Sequence, residues 1–144
     1  MKDKLLCPFR RKYVANTPEE RVRQQFLHAM VQQYEYPQSL IAVEVPIEIG
    51  NHVCKRCDAV VYTHSLKPLM LLEFKAPDVT ITQKTLDQAA AYNTTINAPW
   101  LVLCNGKQAV VAHIHEGNIE FKDTMPKFEE LMHTSSQIME ERIS

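Results

Sequence analysis

Apolar and polar positions alternate along this chain with two different periods. Val22, Phe26, Ala29 and Met30 recur at helical spacing behind Thr17-Pro18-Glu19-Glu20. Thr17 fits the N-cap, Pro18 the first helical position, and Glu20 the far end of a capping box. A helix is predicted from there to about Tyr36, before Pro37. Ile41, Val43, Val45, Ile47 and Ile49 then alternate with less apolar neighbours, the pattern of a half-buried strand. Pro46 cannot donate to a ladder, which points to an edge or a bulge. A turn at Gly50-Asn51 leads to a strand over 54–63, and a third strand spans 69–76. Residues 80–97 read as a helix that Pro99 stops. WLVLC (100–104) is a short buried strand, Asn105-Gly106 signals a hairpin, and QAVVAHI pairs back. A last short strand is expected over 119–122 after Gly117-Asn118. A C-terminal helix starts near Pro126, with Phe128, Leu131, Met132, Ile138 and Met139 on its apolar side.

The predicted order is α-β-β-β-α-β-β-(β)-α. A helix between the third and fourth strands can serve as a right-handed crossover that makes them parallel. The expected fold class is therefore α/β, a mixed β-sheet flanked by helices. The expected division is a basic arm over 1–16, a core over 17–124 and a C-terminal helix over 125–144.

With 144 residues the chain suits one domain. Its apolar share is 45% and its charged share 23%, an ordinary globular balance. No stretch approaches the roughly twenty apolar residues of a membrane span. The basic N-terminus lacks the apolar core of a secretory signal, so a cytoplasmic location is expected. A formal net charge of -1 argues against a nonspecific coat for nucleic acid. Cys7, Cys54, Cys57 and Cys104 are expected as free thiols. Cys54-Lys55-Arg56-Cys57 lacks the second pair that a zinc site would need, and inert thiols are the simpler reading.

The greasy run PLMLLEFKAP carries two charges, Glu73 and Lys75, two apart and so on one strand face. Burying either ion alone would cost several kcal/mol, of order, so their presence needs a reason. A solvated strand face would supply one. A site would supply another. Asp58, in the preceding strand, can lie opposite the Glu73 region in a hairpin, on the face of Val60 and Tyr62. Two facing carboxylates suit Mg²⁺, with Mn²⁺ as a substitute, and the carbonyl of Phe74 could be a third protein ligand. Lys75 could then hold a water or stabilise charge on a phosphoryl group.

Asp58…Glu73-Phe74-Lys75 resembles the PD-(D/E)xK nuclease signature. In the order TPEERVRQQ, KRCDAVVY, LLEFKAP, QAAAYN and LVLCNG, the chain resembles the N-terminal domain of type I restriction enzyme R subunits over about 17–106. The resemblance implies a restriction-endonuclease-like core and a metal-dependent DNA endonuclease, with Asp58, Glu73 and Lys75 catalytic. It implies that Gln88 and Tyr92, matching a Gln-x-x-x-Tyr motif, contact DNA or order the site. A glutamate of the first helix often joins such sites; periodicity favours Glu19, which sits three before Val22, over Glu20. Arg56, beside Asp58, could meet a phosphate. Cys57 stands where the family carries a proline. A type I R subunit continues into a helicase motor, and no GxxxxGK[ST] loop occurs here, so a free-standing relative or a fragment is expected. Partners would be DNA, and a motor or methylase and specificity subunits on other chains. The alternative is a catalytically silent DNA-binding or assembly module of a restriction or repair complex.

Overall fold

The computed structural model describes residues 3–50 and 52–133. Its first elements are a hairpin, β1 (Lys4–Cys7) and β2 (Lys12–Ala15), and helix α1 (Pro18–Gln33). Then come β3 (Ile41–Ile49), β4 (His52–Tyr62) and β5 (Pro68–Phe74). Helix α2 (Gln83–Ile96) leads to β6 (Trp100–Cys104), β7 (Ala109–His115) and β8 (Asn118–Lys122). Strands β3 to β8 form one six-stranded sheet in chain order. All neighbours are antiparallel except β5 and β6, which run parallel, with Glu73 beside Leu103 and Phe74 beside Cys104. The crossover that makes them parallel is α2, so the fold is α/β with a mixed sheet, as the sequence pattern implied.

The central strand β5 is buried on both faces from Leu69 to Phe74. One face packs a core of Met70, Leu72 and Phe74 against Val22, Leu27 and Met30 of α1 and against Phe128 and Leu131. The other packs Leu71, Leu101 and Leu103 against Leu86 and Ala89 of α2. Helical residues 128–133 begin the expected C-terminal helix; its expected members Ile138 and Met139 lie outside the described residues. None of the described helices is long and apolar enough to cross a membrane.

Three local expectations change. First, the basic arm is a hairpin. Cys7 is buried at 1% exposure, and Arg10 at the turn is drawn to Glu20 and Glu44. Second, α1 ends at Gln33, short of Tyr36. Glu35 takes φ +60, while the N–H groups of Tyr34 and Tyr36 both reach the Met30 carbonyl, at 3.2 and 3.1 Å. Tyr36 is freed to bury its ring and donate to the Pro126 carbonyl at 2.9 Å. Third, β3 does not keep one apolar face. Ile41 and Val43 pack on the α1 side, Val45 and Ile47 on the α2 side. Between them Glu44 sits at φ +58, a left-handed residue that interrupts the alternation. The same exchange occurs on β4, where Ala59 and Val61 join the α1 core and Cys57 the α2 core. Pro46 lies on the edge strand, as its missing N–H requires.

Candidate functional site

The site forms where β4 and β5 part. Their pairing runs from Tyr62 back to Ala59 opposite Leu72. One residue further, the Asp58 side chain replaces the main chain: Oδ2 accepts a hydrogen bond from the Phe74 N–H at 2.6 Å. Its other oxygen, Oδ1, lies 3.7 Å from Arg23 Nη1 of α1. Asp58 therefore turns toward the α1 face. It does not share the face of Val60 and Tyr62, which pack on the α2 side. The irregularity at Glu44 and Asp58 reverses the alternation that would have placed it there.

Arg23 belongs to a chain of alternating charges. Its Nε donates to Glu20 Oε2 at 2.7 Å, Glu20 Oε1 accepts from Arg10, and Arg10 Nη1 donates to Glu44 Oε1 at 3.0 Å. Glu20 and Arg23 are buried at 3% and 8% exposure, depths at which unpaired ions would be strongly destabilising. Thr17 does cap α1, accepting the Glu20 N–H at 3.1 Å, but the Glu20 carboxylate serves the arginines rather than the helix start. The inward glutamate is thus Glu20, and Glu19 is exposed. The buried stripe runs Glu20, Arg23, Leu27, Met30, at steps of three, four and three, so its first members are charged. A stripe phased on apolar residues alone misses them.

Glu73 and Lys75 face the other way. With Thr85, Gln88, Ala89, Tyr92 and Leu103 they line a cavity of about 250 Å³ between β5, β6 and α2. Glu73 is 3% exposed, and the Lys75 N–H is fixed to the Cys104 carbonyl at 2.9 Å. Gln88 and Tyr92, one helical turn apart on α2, line the same cavity as the strand pair. Thr82 starts this helix, capped reciprocally with Thr85, and left-handed Asn97 (φ 59) ends it. Neither Asp58 nor Arg56 lines the cavity. Arg56 is an exposed residue of β4 opposite Pro46, beyond the stretch of β4 that pairs with β5.

Among the described residues, the thiols make no cluster around this site. Cys57 donates to the Val45 carbonyl at 3.2 Å, and burial pushes the Cys104 thiol up. The Cys54 side chain lies outside the described residues. Elsewhere, His113 stacks on Trp100 at 4.6 Å, and burial, then the Lys122 charge, hold its imidazole below the usual range.

Among the described residues, no group of three or more His, Cys, Asp and Glu side chains could hold a metal ion. The two candidate carboxylates are turned apart, Asp58 toward Arg23 on the α1 side and Glu73 into the cavity on the α2 side, so as placed they do not make one magnesium site.

Residues 18–126 match the family described as type I restriction enzyme R protein N terminus. This chain belongs to that family. Its fold is similar to that of a fragment assigned to the HsdR subunit of a type I restriction enzyme from Vibrio vulnificus YJ016, with a TM-score of 0.55 and 16% identity. The likeness covers 74% of this chain and 23% of that one, so this R-protein N-terminal domain spans about a quarter of its structural relative. At that identity the likeness is one of fold. No curated protein matches the chain significantly.

Proposed function

We propose that this R-protein N-terminal domain is a DNA endonuclease domain of the PD-(D/E)xK type with a restriction-endonuclease-like core. The observation that carries the reading is the shared cavity of Glu73, Lys75, Gln88 and Tyr92 at the carboxyl end of the parallel pair β5–β6. Crevices at such strand ends are favoured ligand sites in open α/β sheets.

In this reading water attacks a phosphodiester phosphorus and one ester oxygen leaves. Lys75 orients the water and stabilises charge growing on the phosphoryl oxygens. Gln88 offers an amide and Tyr92 a ring and hydroxyl to hold the strand in place. For Glu73, Asp58 and the Phe74 carbonyl to hold Mg²⁺ or Mn²⁺ together, Asp58 would have to leave Arg23 and turn toward the cavity; the ion would then supply Lewis acidity beside the phosphate. Glu20, rather than Glu19, is the first-helix glutamate tied to the site, through Arg23. The partners would be DNA and a helicase motor or methylase and specificity subunits of a type I assembly.

One observation favours a second reading. The Asp58 carboxylate is already engaged by the Phe74 N–H and faces Arg23, which also suits a silent DNA-binding or assembly module. The deciding experiment titrates Mg²⁺ and Mn²⁺ against linear, circular and single-stranded DNA, comparing wild type with Lys75→Ala and Asp58→Asn. The nuclease reading expects metal-dependent cutting that falls by about a hundredfold or more in both variants. Binding of DNA without cutting, unchanged across all three proteins, would establish the module instead.

A further inference from the structure

The two edges of the six-stranded sheet are built differently. On β3, Pro46 has no N–H to offer, Glu44 sits at φ +58, and the pairing with β4 shifts between Ile47 and Glu48. Such features keep an edge from pairing with another chain. The opposite edge, β8, has none of them. Asn118 to Lys122 pair with β7 in one unbroken register, without proline or glycine. Every residue of β8 is exposed, and among the described residues no strand lies on its outer side. Its two faces differ in chemistry. Ile119 and Phe121, 41% and 58% exposed, stand opposite Ile114 and Ala112 on the α2 side. Glu120 and Lys122 stand opposite His113 and Val111 on the α1 side, joined to each other by a hydrogen bond of 2.8 Å.

We propose that β8 is a self-pairing edge, whose partner is the β8 strand of a second copy of this chain, antiparallel about a twofold axis at Phe121. The order of the charges selects this register. Residues directly opposite share a face, so a twofold pair centred on any residue of β8 keeps apolar against apolar. Centred on Glu120 or on Lys122, the pair sets like charges against each other, which is destabilising. Centred on Ile119, it leaves Lys122 beyond the end of the facing strand. Centred on Phe121, it sets Glu120 of each copy opposite Lys122 of the other and brings the two Phe121 rings together at the axis. A pair of strands this short is small beside a standard interface, so the dimer is a weak one. Both copies then present their α2 sides, and the Glu73–Lys75 cavities on them, to the same side of the joined sheet. The proposal does not depend on what those cavities do.

The test is analytical ultracentrifugation of the full chain from about 1 µM to about 1 mM, the range of weak association. It compares wild type, F121D, E120K, K122E and an equimolar mixture of the last two, with thermal melts to confirm folding. All three positions are exposed, so the fold tolerates the changes. Wild type should pass from monomer to dimer within this range. F121D sets two like charges at the axis, and E120K and K122E each make the cross-strand pairs like-charged. Each variant alone should need about tenfold more protein to dimerise, or more, because the twofold axis repeats every altered pair. Mixing E120K with K122E restores opposite charges across the axis and should restore the dimer. The bond between Glu120 and Lys122 within one chain cannot produce that rescue, since both variants lack it. A wild type that stays monomeric throughout overturns the proposal and leaves β8 to the strand of a different protein. Dimers that persist unchanged in F121D, or a mixture that fails to recover them, overturn it as well.

Discussion

The Phe74 N–H donates to Asp58 Oδ2 at 2.6 Å, so a side chain extends the ladder that the β4 main chain leaves at Ala59. Asp58 is therefore a structural acceptor as well as a candidate ligand. Asp58→Ala should strip an acceptor from a part-buried N–H and cost about 1–3 kcal/mol, whereas Asp58→Asn keeps an oxygen there and should cost less. Urea unfolding of both variants measures this. Equal losses would show that the hydrogen bond contributes nothing. The comparison also makes Asp58→Asn the cleaner probe of activity, since it removes charge while keeping the acceptor.

The two adjacent glutamates of α1 should behave very differently. Glu19 is exposed, and Glu19→Ala should change stability by no more than about 0.5 kcal/mol. Glu20 is buried between Arg10 and Arg23, and Glu20→Ala leaves both cations short of an anion. A loss of about 3–5 kcal/mol is expected, as for other buried pairs broken from one side. Chemical denaturation of the two variants checks this, and similar small losses would contradict the buried charge chain.

Asn93 closes the exit of α2. Its Oδ1 accepts the Ala98 N–H at 3.0 Å, and its Nδ2 donates to the Ala98 carbonyl at 2.8 Å. Ala98 is 2% exposed, so no water replaces the side chain cheaply. Asn93→Ala should cost roughly 2–4 kcal/mol, two unmet buried groups. Asn93→Asp, which retains the acceptor, should fall between wild type and Ala. A melting temperature for Asn93→Ala within a degree of wild type, by circular dichroism, would refute it.

The stacked His113 gives the fold an acid-side sensitivity. Burial first, then the charges of Lys122 and His115, lower its affinity for a proton, with Glu120 opposing. The unfolded chain titrates near the ordinary 6.5, so it takes up the proton before the folded chain does. This contribution to stability is full above that pH and is lost as the pH falls below it. Urea midpoints at pH 7.5 and 5 should differ more for wild type than for His113→Asn. The same difference in both proteins would assign the acid sensitivity elsewhere.

Local patterns were enough for the element order from α1 to β8. Thr17-Pro18 marks a helix start, WLVLC is a short apolar run that reads as a buried strand, and Asn105 holds the turn it announces, accepting the Lys107 and Gln108 N–H groups at 2.9 and 2.8 Å. These signals act within a few residues, where propensity and capping suffice. The Glu73–Lys75 pair was legible for the same reason, because a strand's period of two fixes a common face. Gln88 and Tyr92 were legible only through resemblance, since helical spacing places them together but does not say what they face.

Tertiary structure alone decided which ions are buried together. Arg10 meets Glu20 and Glu44 across the hairpin, α1 and β3, a pairing between distant segments that no local period encodes. It turned an expected arm into a docked hairpin and shifted the inward glutamate by one residue. The left-handed Glu44 likewise exchanges the faces of β3 and β4 around Asp58, which sends that carboxylate toward Arg23 and the Phe74 N–H. The sequence by itself determined the elements, their order and a charged pair in a buried strand. Which partners those charges take follows from desolvation, which forces every buried ion to find an opposite one wherever the packing of helices on the sheet brings it within reach.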